Sequence, residues 1–275
     1  MDGYETILSE VGTAGDGIAV LTINRPKSLN AINRRMADEL AGELARLAAD
    51  SSVRVLVLRG AGETFCAGGD VRGMAGVGPR SADEGLADMA RYRRMTLALH
   101  GFPRPVIAAV DGVAFGAGMS LALLADMVVL SHHARLCMAF QRVGLIPDCG
   151  ALYTLPRLVG LQQAKALMLS AREIGPDEAV AMGLALEVHP ADHLHARVLE
   201  LARAIARGSP TALSLTKKAL DAAMQSDLST MLDLEAAGQA IALASAAHRQ
   251  AVEAFARKEG ARYVWPERRA PGALK

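Results

Sequence analysis

Residues 105–120 read P-V-I-A-A-V-D-G-V-A-F-G-A-G-M-S, a run of apolar residues followed by a glycine-rich loop. The run from Pro105 to Asp111 is short and bounded by turn residues, which predicts a buried strand. A helix is predicted directly after it, over Ala117–Ala125. The same order occurs earlier, where the predicted strand Val53–Arg59 precedes C-A-G-G-D at 66–70. Repeated strand–helix units with short links predict an α/β core.

The segments around these two units have the same alternating character. Tyr4–Val11 and Ile18–Asn24 are separated by T-A-G-D-G, which predicts a β-hairpin. Asn30–Ala49 repeats apolar residues with helical spacing, Ala82–His100 is a second predicted helix, and Met127–Ser131 is a further strand. Gly73–Ser81 is predicted to be mobile.

The chain becomes helical after about Leu152. Ala185–Val188 is the one strand predicted there, while Thr211–Met224 and Leu228–Glu259 are predicted helices. Pro176 at a helix start and Gly183 after its end follow the usual placement of these residues. We expect an α/β core over residues 1–200 and a helical region over residues 201–275.

Composition excludes several classes of protein. The 275 residues are 51% hydrophobic, which is enough for one sizeable core, and the net charge of +1 does not favour nucleic acid or a membrane surface. The apolar stretch Gly112–Ala125 is too short to span a bilayer, and the N-terminus does not resemble a signal peptide. The three cysteines lack disulfide or zinc spacing and the histidines lack metal-ligand spacing, so we expect a cytoplasmic protein without a metal.

The two glycine-rich loops, C-A-G-G-D (66–70) and F-G-A-G-M-S (115–120), allow backbone N–H groups to approach a ligand closely. Two such donors on one oxygen would form an oxyanion hole. Tight packing of a strand–helix turn explains either loop equally well. Neither loop has a phosphate-binding fingerprint.

Four motifs occur in a characteristic order: N-R-P-K-S-L-N-A (24–31), F-C-A-G-G-D-V (65–71), V-D-G-V-A-F-G-A-G (110–118) and M-A-F-Q-R-V-G-L-I-P-D-C-G (138–150). This series resembles the crotonase, or enoyl-CoA hydratase/isomerase, superfamily from about Ile7 to Tyr263. Within it, the last motif is most similar to the ring-epoxide isomerases of phenylacetate catabolism and their enoyl-CoA isomerase relatives.

This resemblance implies a spiral of β-β-α units with a C-terminal helical trimerisation region, assembled as trimers or dimers of trimers. It implies an acyl-CoA thioester as substrate, with CoA as part of the substrate and no separate cofactor, and a role in fatty acid or phenylacetate catabolism. The oxyanion hole would consist of the backbone N–H groups of Gly69 and Ala117. The residues implied to contact CoA are Lys27, Ser28, Leu29, Ala67, Gly69 and Val71, together with Phe255 and Lys258, which would reach a neighbouring subunit's CoA.

Two departures from the family pattern bear on the reaction. Ser120 and Phe140 occupy the positions at which a typical hydratase carries its two catalytic glutamates. Asp148 is the remaining motif carboxylate that the resemblance places over the substrate, and one carboxylate is sufficient to move a proton between two carbons. The resemblance therefore implies an isomerase with Asp148 as acid and base. A turn residue at Asp148, a hydratase or thioesterase that uses another residue, and a non-catalytic acyl-CoA-binding or RNA-associated protein are the alternatives.

Other polar residues near these motifs have simpler explanations. We interpret Asp70 as a helix cap and Asp111 and Asp126 as turn or cap residues. Cys66 and Cys149 have no paired histidine in any motif, so buried small side chains are expected rather than nucleophiles. Tyr153 and Arg157 either line an acyl pocket or pack on the surface, and packing is the favoured interpretation.

Overall fold

The computed structural model describes residues 3–12, 15–75 and 81–267. Its strands are β1 (Ile7–Val11), β2 (Ile18–Ile23), β3 (Val55–Gly60), β4 (Val106–Val110), β5 (Val113–Phe115), β6 (Met127–Ser131), β7 (Arg135–Cys137), β8 (Glu173–Ile174) and β9 (Glu187–His189). Its helices are α1 (Arg34–Ala49), α2 (Val71–Ala75), α3 (Ala82–His100), α4 (Ala117–Ala122), α5 (Ala151–Ser170), α6 (Pro176–Ala181), α7 (Ala191–Ala206), α8 (Pro210–Ala223), α9 (Leu228–Leu243) and α10 (Ala246–Ala256). Short 3-10 helices cover Pro26–Ser28 and Ala139–Val143.

The main sheet has six strands in the order β1-β2-β3-β4-β6-β9. β1 and β2 are antiparallel, with Ile7 opposite Ile23, whereas the other neighbours are parallel. All five residues of β4 are buried, as expected for a parallel strand covered on both faces. The predicted hairpin and α/β core are both confirmed.

A second, smaller sheet has the order β5-β7-β8. It places Cys66 beside Ala114 through an isolated parallel bridge, and Ile32 pairs in the same way with Gly69. The three segments that carry the motifs at 24–31, 65–71 and 110–118 are therefore held side by side by backbone hydrogen bonds.

Apolar residues pack on both faces of the main sheet. One face packs with α1, where Met36, Leu40 and Leu44 are among the residues of the larger core. The other face packs with α7, whose Val198 and Leu201 join Ile18, Val57 and Ile107 from the strands. Burial of these apolar surfaces is the main force that fixes the sheet between its helices.

The start of the C-terminal helices is tied to the core by an ion pair. Lys217 on α8 donates from Nζ to Asp126 Oδ2 at 2.8 Å, and the same carboxylate oxygen accepts from the N–H of Val106 at 2.7 Å. Burial raises the pKa of Asp126, while Lys217 and the Val106 N–H oppose that effect. Asp126 thus has a structural role, and it also connects α8 to β4.

Several predicted helices have different bounds in the structure, and the helix predicted over Ala117–Ala125 ends at Ala122. The segment Leu228–Glu259 is two helices, because the chain leaves α9 at Ala244 and Ser245 caps α10 by accepting from the N–H of His248 at 3.1 Å. The helix predicted from Asn30 begins at Arg34 instead, after Asn33 as its cap. Part of the segment predicted to be mobile, residues 76–80, lies outside the described residues.

Apolar side chains remain exposed along α8, α9 and α10. They include Leu220, Met224, Leu228, Leu232 and Phe255. Among the described helices, none is long and apolar enough to cross a membrane.

Candidate active site

The two glycine-rich loops are in direct contact. A Cβ atom built on Gly68, which has a φ of +100°, would lie 2.8 Å from the Phe115 carbonyl oxygen and 3.7 Å from the Ala117 nitrogen. Glycine is therefore required at 68 both by the left-handed φ and by the close approach of the second loop. The segment containing Gly69 and the start of α4 meet at this point.

Gly69 and Ala117 each present a backbone N–H without an acceptor from the described part of the chain. The N–H of Ile32 donates to the Gly68 carbonyl at 2.7 Å, and Ile32 O accepts from the Asp70 N–H at 3.0 Å. This alternation directs the Gly69 N–H away from Ile32. Ala117 is the first residue of α4, so its N–H has no partner within the helix.

The side chains at positions 120 and 140, beside α4, carry no charge. Ser120 is fully buried, and its hydroxyl donates to the Gly116 carbonyl at 3.2 Å. The Phe140 ring lies 3.9 Å from the Cβ position of Gly116. Ser120 is thus bonded to its own helix and Phe140 is an apolar contact, so neither supplies an acid or a base at this site.

Asp148 lies in the turn that starts α5. Its backbone carbonyl accepts from the Ala151 N–H at 3.1 Å, and Cys149 and Gly150 have left-handed φ values of 51° and 86°. The turn interpretation is therefore confirmed for the backbone. It leaves the carboxylate unexplained, because Oδ1 of Asp148 is buried without a hydrogen-bond partner among the described residues.

Burial raises the pKa of Asp148, and the neighbouring Cys149 thiol lowers it by a smaller amount. Burial also raises the pKa of Cys149, and the Asp148 charge adds to that effect. Burial raises the pKa of Cys66 to about 12. Both cysteines are buried, as expected, and a raised pKa disfavours the thiolate that a nucleophile needs.

The Asp148 side chain lines a cavity of about 460 Å³. One wall is α3, and the other is the turn at 148–150. The lining residues are Leu86, Met89, Ala90, Tyr92, Arg93, Thr96, Leu97, Asp148, Cys149 and Gly150. This volume is in the range of small-molecule sites, so the cavity could hold a short or medium acyl group.

The residues implied to bind CoA occupy two adjacent segments. Lys27 and Ser28 lie in the 3-10 turn, and Leu29 follows in a left-handed conformation with its side chain 56% exposed. The Leu29 carbonyl accepts from the Ala67 N–H at 3.0 Å, so these two residues are brought together. Val71 is exposed at the start of α2.

Phe255 and Lys258 lie at the end of α10. Phe255 is 85% exposed, and Lys258 has a left-handed φ of 57° just beyond the helix. Neither residue lines the cavity that contains Asp148. Any contact between them and CoA therefore remains a prediction.

Asn30 is a site residue that the sequence analysis did not identify. It is fully buried, and its Oδ1 accepts from the Arg25 N–H at 2.9 Å. Its Nδ2 donates to the carbonyls of Ala61 at 2.9 Å and Thr64 at 2.6 Å. These bonds fix the 25–31 loop beside the 61–70 segment. The signal in the sequence is that asparagine tolerates the left-handed φ of 56° found there.

Replacing Asn30 with alanine is expected to lower the free energy of unfolding by about 2–3 kcal/mol, since three backbone groups lose their partner. The Michaelis constant for a CoA thioester is expected to rise several-fold because the Lys27–Leu29 loop loosens. Urea unfolding and steady-state kinetics measure these effects. Asn33→Ala is the control, since it removes only a helix cap, bonded to the Met36 N–H at 2.9 Å. Equal Michaelis constants in both variants would contradict the assignment.

Asp70 is a cap, as predicted. Its Oδ1 accepts from the Gly73 N–H at 3.3 Å at the start of α2. Its Oδ2 also pairs with the Arg25 guanidinium at 2.9 Å. Asp70 therefore connects α2 to the 25–31 loop.

Tyr153 and Arg157 pack outside the cavity. The Arg157 guanidinium lies 3.6 Å from the centre of the Tyr153 ring, whose edge also meets His100. The Tyr153 hydroxyl accepts from Gln225 Nε2 at 3.3 Å. The packing interpretation of these two residues is confirmed.

Comparison with known proteins identifies the protein family to which the chain belongs. The family model for enoyl-CoA hydratase/isomerase matches residues 13–266. The chain therefore belongs to the enoyl-CoA hydratase/isomerase family, in the crotonase superfamily, and is an enzyme of this family that acts on an acyl-CoA. Its fold is the α/β crotonase fold with C-terminal helices.

Individual relatives differ in the reaction their names describe. The chain is 38% identical over 262 residues to a 1,2-epoxyphenylacetyl-CoA isomerase of Escherichia coli, covering 94% of this chain and 98% of the relative. It is 39% identical over 261 residues to a probable enoyl-CoA hydratase of Rhodobacter capsulatus, covering 93% and 96%. A crystal structure of an enoyl-CoA hydratase/isomerase from Cupriavidus metallidurans is 39% identical with a TM-score of 0.89, covering 98% and 100%.

Proposed function

We propose that this protein is an acyl-CoA isomerase that moves a double bond or opens a ring epoxide. The observation that carries the proposal is the half-buried Asp148, whose buried Oδ1 has no hydrogen-bond partner in the described structure and which lines a largely apolar cavity. An ionised carboxylate in such surroundings is costly unless it is paired or hydrogen-bonded, so stability alone does not explain its presence. With Ser120 and Phe140 at the usual hydratase positions, Asp148 is the motif carboxylate that lines the described cavity and could transfer a proton.

In double-bond migration, Asp148 removes a proton alpha or gamma to the thioester carbonyl. The electron pair of the broken C–H bond moves to the carbonyl, which becomes an enolate. The N–H groups of Gly69 and Ala117 stabilise the enolate oxygen, and each such donor contributes about 3–4 kcal/mol. The protonated Asp148 then returns the proton to the other carbon, so the double bond moves and no other reactant is consumed.

The CoA part of the substrate is assigned to Lys27, Ser28 and Leu29, with the adenine near Ala67, Gly69 and Val71. The hydrogen bond between the Leu29 carbonyl and the Ala67 N–H supports this assignment, because it places the two segments side by side. The similarity to a 1,2-epoxyphenylacetyl-CoA isomerase supports an isomerase, and a role in phenylacetate or fatty acid catabolism.

A hydratase is the second candidate. The similarity to a probable enoyl-CoA hydratase of Rhodobacter capsulatus favours it. This reaction requires one group to deprotonate water and another to deliver a proton. Asp148 would then need a partner other than Ser120 or Phe140.

The proposal also includes the oligomeric state of the protein. Exposed apolar side chains on α8 to α10, Phe255 among them, support a homotrimer or a dimer of trimers built on residues 201–275. In that assembly Phe255 and Lys258 would reach the CoA site of a neighbour. The buried free thiols of Cys66, Cys137 and Cys149 support a cytoplasmic location.

Product analysis tests the proposed reaction. The purified enzyme is incubated with a 3-enoyl-CoA, a 2-enoyl-CoA and a ring-epoxide CoA thioester, and the products are identified by mass spectrometry. Isomers of unchanged mass are expected from the first or the last substrate. Formation of a product 18 mass units heavier from the 2-enoyl-CoA, with no isomer from any substrate, would contradict the proposal and establish hydration.

A further inference from the structure

The cavity contains a second polar group that the proposed reaction does not use. Tyr92 lies on α3 and lines the cavity together with Asp148. Its hydroxyl makes no hydrogen bond to the described residues. The nearby Thr96 hydroxyl is already occupied, since it donates to the Tyr92 backbone carbonyl at 2.9 Å.

The Tyr92 hydroxyl is a hydrogen-bond donor at neutral pH. Burial raises its pKa, and the charges of Cys149, Asp88 and Asp148 add to the effect, while Arg34 opposes it. Tyr92 and Asp148 line the same cavity, one from α3 and the other from the turn at 148–150. A phenol that stays protonated donates one hydrogen bond, and in a largely apolar cavity it gains by finding an acceptor.

We propose that Tyr92 is a specificity-determining residue that donates a hydrogen bond to an oxygen on the acyl group. The substrate class is then an acyl-CoA thioester that carries an epoxide or hydroxyl oxygen close to the carbons on which Asp148 acts. This inference rests on the proposed function, because it assigns the cavity to the acyl group. Such a site would bind acyl groups with an epoxide or hydroxyl oxygen more tightly than enoyl groups that lack this oxygen.

A site that hydrogen-bonds a substrate oxygen discriminates strongly against the analogue without it, because the donor is then left unpaired. The other residues that line the α3 wall support this role for Tyr92. The α3 wall offers only apolar contact at Leu86, Met89, Ala90 and Leu97. The Thr96 hydroxyl on the same wall already donates to the Tyr92 carbonyl, so the uncharged donor left for a substrate oxygen there is the Tyr92 hydroxyl. Arg93 is exposed at the same wall.

Binding measurements test this without turnover. The probes are butanoyl-CoA and its 2-, 3- and 4-hydroxy derivatives, which share one carbon skeleton. Their dissociation constants are measured by calorimetry for the wild type, for Tyr92→Phe, and for both in an Asp148→Asn background to suppress reaction. We expect Tyr92→Phe to weaken at least one hydroxy derivative about tenfold or more and to change butanoyl-CoA less than about twofold.

Tyr153→Phe is the matched control, because that hydroxyl bonds Gln225 outside the cavity. It is expected to leave all four dissociation constants unchanged. Equal weakening of all four probes by Tyr92→Phe, or no weakening of any, would overturn the inference. The proposed reaction fails on different evidence, namely hydration without any isomer or isomerisation that survives Asp148→Asn, whatever the four dissociation constants are.

Discussion

Replacing Asp148 with asparagine is expected to lower the rate of isomerisation by about 10³-fold or more, while the dissociation constant for a CoA thioester changes only a few-fold. The amide has nearly the same shape as the carboxylate but cannot accept a proton from carbon. CoA contacts are assigned to the 27–29 and 67–71 segments, which the substitution does not touch. Steady-state kinetics and calorimetric titration measure the two quantities.

Asp111→Asn is the matched control for this experiment. Asp111 also has a buried Oδ1 without a hydrogen-bond partner in the described structure, but it does not line the cavity. The same chemical change there is expected to leave the rate within about threefold of the wild type. A similar loss of activity in both variants would indicate that removing any buried carboxylate disturbs the fold, and would contradict a specific role for Asp148.

The direction of the Asp148 pKa shift predicts how activity depends on pH and how Asp148→Asn changes stability. Because burial raises this pKa, the base is lost as the pH falls through a value above that of an ordinary aspartate, and kcat/KM is expected to fall with it. The ionised form is the less favourable one in the folded state, so Asp148 destabilises the fold above that pH. Asp148→Asn is therefore expected to unfold at the same or a higher urea concentration at pH 7.

Replacing Gly118 with alanine is the second substitution for which we expect a large effect. A Cβ atom at 118 would lie 2.1 Å from the Cys66 carbonyl oxygen and 2.9 Å from the Cys66 carbonyl carbon. Both are backbone atoms, so α4 must move away from the 66–69 segment. We expect the free energy of unfolding to fall by about 1–3 kcal/mol. We also expect activity to fall about 10²-fold as the Gly69 and Ala117 donors separate.

Gly42→Ala provides the control for helix propensity. Gly42 lies in α1, where an added Cβ would meet nothing within 4 Å. Alanine there is expected to raise the free energy of unfolding by about 0.5–1 kcal/mol without changing activity. Urea unfolding and kinetics on both variants separate the two effects. A Gly118→Ala variant with wild-type activity would contradict the assignment of Ala117 to the oxyanion hole.

The main sheet and most helices could be predicted because their signals are local. Apolar runs such as 105–111 and the periodic pattern of α1 are long enough to be distinguished from loops. β5, β7 and β8 have three residues or fewer, which is too short for a period to show. The end of α9 at Ala244 also has no glycine or proline to mark it.

The site could be predicted in part. The motifs identified the two loops and Asp148, and the structure places the loops in contact. The sequence did not identify Asn30, because its three partners lie at 25, 61 and 64 and come together only through the fold. Tyr92 was missed for the same reason, since nothing in the sequence of α3 shows that this residue lines the cavity with Asp148.

The most direct test of the proton-shuttle role follows hydrogen exchange on a bound thioester. A 3-enoyl-CoA is incubated in deuterated water with the wild type and with Asp148→Asn, and deuterium at C2 and C4 is followed by NMR. The wild type is expected to exchange protons and move the double bond, and the variant to do neither. Equal exchange in both proteins would contradict Asp148 as the base.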